Sequence, residues 1–181
     1  LIRVIDRRKG LPVALGILYI HTAQTQGWNV CGINFPGHFL LRLDWGGERC
    51  LLDPFTGKLL NDASDLRALL KAGLGADAEL EQQHYASVGT RETLFRLQNN
   101  IKLRLMRRHQ IQRALRVVET LLLVAPEQTG LLRESGFLNA HLGNLQSAVD
   151  SLQMFLNTAS TDPSTRYEVA AVLQDLKTRL D

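Results

Sequence analysis

The 181-residue sequence predicts an α+β unit followed by an all-α unit of helical repeats. Two observations predict this order. In the first half, an apolar helical segment precedes three short strand segments that are separated by turn sequences. In the second half, strand patterns are missing and apolar positions recur every 34 residues. A hydrophobic content of 45% is sufficient for a buried core.

The predicted first helix begins at Gly10-Leu11-Pro12 and ends at about Gln26. Proline suits the first helical turn because its missing N–H would have no partner there. Gly27 is a natural end for the helix. The apolar residues between these limits are so numerous that we expect a largely buried helix.

Three short strands should follow this helix. Their segments are residues 28–34, 38–45 and 49–53. Pro36-Gly37 provides the first turn, and Gly46-Gly47 is a good two-residue hairpin loop. The sequence therefore predicts a helix packed on an antiparallel sheet. A short helix from about Ser64 to Lys71 should come next.

The predicted domain boundary lies in a Gly/Ala-rich connector, Ala72 to Ala78. This places the α+β domain at residues 1–78 and the helical domain at residues 79–181. The chain begins at Leu1 without a methionine, so we expect that an N-terminal portion of the α+β domain is missing.

A 34-residue period defines the helical part. Ala114 and Ala148 are one period apart, and the apolar face around them also repeats. The matched pairs are Leu115 with Val149, Val118 with Leu152, and Leu121 with Phe155. Gly136 and Ala170 share a small-residue position where the first copy has Lys102. This period is typical of tetratricopeptide repeats.

A strongly basic stretch runs from Arg91 to Arg116. Eight basic residues and one acid give it a charge of +7. Arg104, Arg107 and Arg108 fall near one helical face. Such a run is either a solvated helix face or a docking site for an acidic protein or peptide segment. Nucleic acid is not an expected partner, because only Phe95 interleaves with the basic residues.

Other functions lack a sequence signal. Cys31 and Cys50 have no metal or redox spacing, and the histidines are too dispersed to form a metal cluster, so we expect no metal and no cofactor. The sequence contains no run of 18 apolar residues, the pattern that would predict a membrane-spanning helix. We expect a cytoplasmic protein with two half-buried thiols.

His38 and Asp53 are the candidate chemical groups. A histidine on one strand and an aspartate on its neighbour can act as the base and the orienting carboxylate of a nucleophilic triad, joined by a hydrogen bond. Three interpretations are open. The pair can link two strands structurally, grip a ligand in a cleft, or activate a water for catalysis.

Three motifs carry a family resemblance: Arg8-x-Gly10-x-Pro12, Pro36-Gly37-His38-Phe39 and Asp53-Pro54-Phe55-x-Gly57-Lys58. In this order, and followed by 34-residue repeats, they resemble the bacterial Sir-B-type family, in which a transglutaminase-like domain is fused to tetratricopeptide repeats. The resemblance implies a papain/transglutaminase-like core, with the active helix packed on an antiparallel sheet.

The resemblance also assigns site positions. Active transglutaminase-type domains carry cysteine at the start of the central helix, and that position here is Pro12. His38 and Asp53 match the other two triad members. Because proline cannot act as a nucleophile, we expect a non-catalytic pseudoenzyme that binds proteins through its repeats. The alternative is a hydrolase or peptide-modifying enzyme that uses the His38–Asp53 pair.

Overall fold

The computed structural model describes residues 1–60, 62–158 and 161–180. The chain divides into two compact units, Leu1–Leu97 and Gln98–Asp181. Within the described residues no helix is both long and apolar enough to cross a membrane.

The predicted elements occur in the predicted order. The helices are α1 (Ile2–Arg7), α2 (Pro12–Thr25), α3 (Ala63–Leu74), α4 (Thr90–Arg107), α5 (Ile111–Val124), α6 (Gly130–His141), α7 (Leu145–Thr158) and α8 (Pro163–Leu180). The strands are β1 (Asn29–Ile33), β2 (Leu40–Trp45), β3 (Glu48–Leu52), β4 (Leu59–Leu60) and β5 (Ser87–Val88). Three of these elements, α1, β4 and β5, are additional to the predicted ones. The α+β and all-α classes are both confirmed.

The five strands form one antiparallel sheet in the order β4-β3-β2-β1-β5. Side chains alternate between the two faces of a strand, and each face has its own core. One core includes residues of α2 and the other residues of α3. The first contains Val13, Val30, Phe39 and Leu41, and the second contains Ile33, Phe35, Leu40, Leu51, Leu60, Leu66 and Leu70.

Phe39 fixes the distance between α2 and the sheet. Its ring lies where a Cβ on Gly16 or on Gly32 would be, with predicted approaches of 2.5 and 2.6 Å. Only glycine allows this packing at either position. The motif residue Phe39 is therefore a core residue, 1% exposed.

The first unit extends further than the predicted boundary after residue 78. Leu80 and Tyr85 pack on the second core, β5 pairs with β1, and Leu97 packs on the first core. These tertiary contacts, rather than the Gly/Ala-rich connector, set the division at Leu97 and Gln98. The first compact unit thus ends within α4, and the domain boundary after residue 78 stays a prediction.

The second unit repeats a helix pair. Ala114 of α5 and Ala148 of α7 are both fully buried, as are Val118 and Leu152 four residues later. Residues of α7 and α8 then form a common core around Val169 and neighbouring apolar residues. The predicted repeat architecture is confirmed.

Candidate functional site

His38 follows a tight turn at Pro36-Gly37. Its backbone N–H donates to the carbonyl of Phe35 at 2.9 Å, and Gly37 has a φ of 73°. Proline followed by a residue with positive φ is the signature of a type II turn. The turn delivers a half-buried His38 just before β2.

Arg96 holds this turn from α4. Its guanidinium donates to the carbonyl of His38 at 2.9 Å and lies 5.8 Å from the centre of the Phe39 ring. Burial lowers the pKa of Arg96. The sequence does not predict this role, since Arg96 lies within the basic stretch and no local pattern shows which face of a helix meets the sheet.

Asp53 anchors the loop between β3 and β4. Its carboxylate accepts from the N–H of Phe55 at 2.8 Å and from the hydroxyl of Thr56 at 2.9 Å. Its backbone N–H donates to Lys58, and its carbonyl accepts from Gly57. With 7% exposure, Asp53 is a buried acid whose two oxygens both have partners.

The predicted hydrogen bond between His38 and Asp53 is absent from the described part of the chain. The carboxylate of Asp53 instead accepts from nearby donors in its own loop. Phe55 and Thr56 lie within three residues of Asp53, and each binds one of its two oxygens. The convergence of Pro12, His38 and Asp53 on one site stays a prediction.

Neither cysteine has the setting of a triad nucleophile. The start of a helix is the setting in which the helix dipole favours a thiolate, and in α2 that first position is occupied by Pro12. Cys31 and Cys50 are free and half-buried, and both lie on strands. Cys31 does share with His21 the lining of a cavity of about 330 Å³.

The three arginines singled out by the sequence, Arg104, Arg107 and Arg108, are here called the arginine cluster. All three are exposed, at the last turn of α4 and the residue after it. In residues 1–60, 62–158 and 161–180, none of them forms an ion pair. Lys102, by contrast, is buried and pairs with Glu134.

Metal binding has no candidate site in the described residues. Among them, no group of three or more His, Cys, Asp or Glu side chains is placed to hold an ion.

Comparison with known proteins agrees with this architecture. Residues 1–99 match the model of the transglutaminase-like superfamily, and residues 101–174 match that of a tetratricopeptide repeat. No solved structure matches the chain.

Similar bacterial proteins match most of the chain. A UPF0162 protein of Vibrio cholerae is 34% identical over 90% of this chain, and Protein SirB1 of Salmonella typhimurium is 30% identical over 89%. The chain spans 60% of the length of each of these relatives. The resemblance to the Sir-B-type family is confirmed, and the chain belongs to the transglutaminase-like superfamily, with tetratricopeptide repeats after that domain.

Proposed function

We propose that this chain is a non-catalytic interaction protein whose repeat unit recruits an acidic partner. The observation that carries the proposal is Pro12, which occupies the first position of α2. The family resemblance places the nucleophile there, and proline offers no nucleophilic atom.

The surroundings of the other polar groups support the same function. Asp53 is engaged by Phe55 and Thr56 rather than by His38, so it acts as a turn anchor. Cys31 and Cys50 lie on strands rather than at the helix start, where the family resemblance places the nucleophile. Two free thiols also support a location in the reducing cytoplasm.

The arginine cluster supports the choice of partner. Three exposed guanidinium groups within five residues favour carboxylate-bearing ligands, since each guanidinium can bind a carboxylate through two parallel hydrogen bonds. The repeat unit adds a general reason, because repeat arrays offer extended binding surfaces.

Charge reversal tests the recruitment function. We expect the R104E/R107E/R108E variant to lose binding to a labelled glutamate-rich peptide, measured by fluorescence anisotropy, while a glutamine-rich peptide binds neither form. Binding to the unaltered chain should weaken as salt is added, because exposed charges are screened.

The matched control is R3E/R7E/R8E, which changes the net charge equally within the first unit. This variant should still bind the peptide. Circular dichroism should show both variants folded, although each acid near the end of α4 costs about 0.5 kcal/mol against the helix dipole. Equal loss in the two variants would contradict the proposal.

Thiol alkylation tests the absence of catalysis. Incubation with a peptide library, followed by mass spectrometry, should yield no modified or cleaved product before or after treatment with iodoacetamide. A product lost in His38→Ala would establish the alternative, a hydrolase or peptide-modifying enzyme. Cys31 and His21 line the same cavity. A product that is lost on alkylation but not in His38→Ala would therefore indicate catalysis by Cys31.

A further inference from the structure

Both tryptophans of the chain lie at one end of the sheet. Asn29 at the start of β1 pairs with Asp44 near the end of β2. Continuing this register by one position places Trp28 opposite Trp45. On the far side of Trp45, β3 begins with its partner Glu48. The row Trp28, Trp45, Glu48 therefore crosses three neighbouring chain segments.

Because successive side chains of a strand point to opposite faces, the side chains of this row lie on one face of the sheet. Arg42 and Arg49 both bind the carboxylate of Asp44, at 3.0 and 3.1 Å, so these three side chains share the opposite face. Hydrogen bonding by Arg49 lowers the pKa of Asp44. Trp45 is one residue further along β2 and points the other way.

Both indoles are open to solvent. Trp28 is 48% exposed and Trp45 is 66% exposed, although tryptophan is highly buried on average. The backbone N–H of Trp28 donates to Ala23 at the end of α2, which fixes its position. Tryptophan is enriched among the few residues that carry most of the binding energy at protein interfaces.

The charge beside the indoles selects a cation. Glu48 is exposed, and within the described ranges it has no ion pair. The last turn of α2, which leads into Trp28, holds no basic residue against the negative end of the helix dipole. Indole faces attract cations through their quadrupole.

We propose that Trp28, Trp45 and Glu48 form a docking surface for an arginine- or lysine-bearing segment of a partner protein. The cationic head lies on an indole face and pairs with Glu48, while its methylene stem covers apolar ring surface. This surface belongs to the first unit and the arginine cluster to the second, and the two take ligands of opposite charge.

Intrinsic fluorescence tests this directly, because the chain has two tryptophans and both belong to the surface. The probe is a synthetic peptide with arginines in a glycine–serine background. We expect a saturable change in emission. Binding should be about tenfold weaker when citrulline replaces arginine, and about tenfold weaker in Trp45→Ala, where Trp28 reports.

Glu48→Gln should weaken binding to a similar degree, and the control Glu119→Gln, an exposed acid on α5, should leave it unchanged. R104E/R107E/R108E should also bind normally, which separates this result from the repeat surface. Equal binding of the citrulline peptide would overturn the proposal. So would emission that shifts with phosphatidylcholine vesicles alone, or that changes when the protein itself is diluted.

Discussion

The two complete helix pairs, α4–α5 and α6–α7, use different side chains at the same two repeat positions. The second pair has Gly136 where the first has Lys102, and it has Gly143 where the first has His109. Side-chain packing can be compared at the first position and backbone hydrogen bonds at the second. Features that both pairs share are those that the repeat keeps.

At the first position, the difference concerns packing. A Cβ on Gly136 would lie 2.3 Å from Cδ2 of Leu152, so a glycine lets the two helices of this pair approach. Lys102 in the first pair is 3% exposed and pairs with Glu134. The equivalent of Leu152 there is the smaller Val118. The position therefore accepts a long side chain when the residue packed against it is smaller, as Val118 is, and when a carboxylate can pair with the charge.

At the second position, the difference concerns the turn. His109 and Gly143 both have positive φ, 55° and 78°. The next residues, Gln110 and Asn144, each donate to the carbonyl five residues earlier, at 2.9 Å in both copies. This is the Schellman arrangement that ends many helices. The backbone geometry is kept even where histidine replaces the favoured glycine.

The largest effect is expected at Gly136. Gly136→Lys should cost about 3 kcal/mol of unfolding free energy, because its Cβ meets Leu152. Glu168 occupies the repeat position equivalent to Glu134, so the introduced charge has a carboxylate available. Urea unfolding measures the cost, with Leu152→Val alone as the control at about 1 kcal/mol.

The double variant sharpens this comparison. If Leu152 fills the space that Lys102 takes in the first pair, G136K/L152V should cost less than the two single changes together, by at least about 0.5 kcal/mol. Strict additivity would contradict the packing explanation.

An intermediate effect is expected at the ion pair between the buried Lys102 and the partly exposed Glu134. Glu134→Ala should cost about 2 kcal/mol, because it leaves the buried Lys102 side chain without its partner, although the 42% exposure of Glu134 lets water compensate in part. Lys102→Met keeps the volume without the charge and should stay within about 1 kcal/mol of the unaltered chain. Equal losses in the two variants, measured by urea unfolding, would show that volume rather than charge decides this position.

The smallest effects are expected at the turns. His109→Gly should stabilise the protein by about 0.5–1 kcal/mol, since glycine adopts positive φ without a Cβ clash. Gly143→Ala should destabilise it by about 1 kcal/mol for the same reason. Thermal unfolding should therefore move in opposite directions for the two changes. A shift of the same sign in both would break the equivalence of the turns.

Much of this fold could be predicted from the sequence because turns divide it clearly. β1, β2 and β3 are bounded by Gly27, Pro36-Gly37 and Gly46-Gly47, and each lies within the predicted segment give or take one residue. β4 and β5 were not predicted, since two residues carry no alternation. They form only where partner strands are present, as β5 does beside β1.

The candidate site was harder to predict, because side-chain partners depend on tertiary placement. Arg96 and Lys102 belong to the same basic stretch as the arginine cluster, yet the first lies on Phe39 and the second is buried. A net charge cannot distinguish these environments. The hydroxyl of Thr56 binds Asp53 within the turn, and a lone threonine in the sequence does not indicate such a partner.

The loop anchored by Asp53 determines which substitutions would be needed to engineer catalysis into this fold. Pro12→Cys alone supplies a thiol, but Asp53 already serves Phe55 and Thr56. In the serine-protease triad, replacing the orienting aspartate by asparagine lowers kcat by about four orders of magnitude. Thr56→Val would release one carboxylate oxygen. On the predicted convergence of Pro12, His38 and Asp53, an active design requires at least two coordinated substitutions, one on α2 and one in the loop after β3.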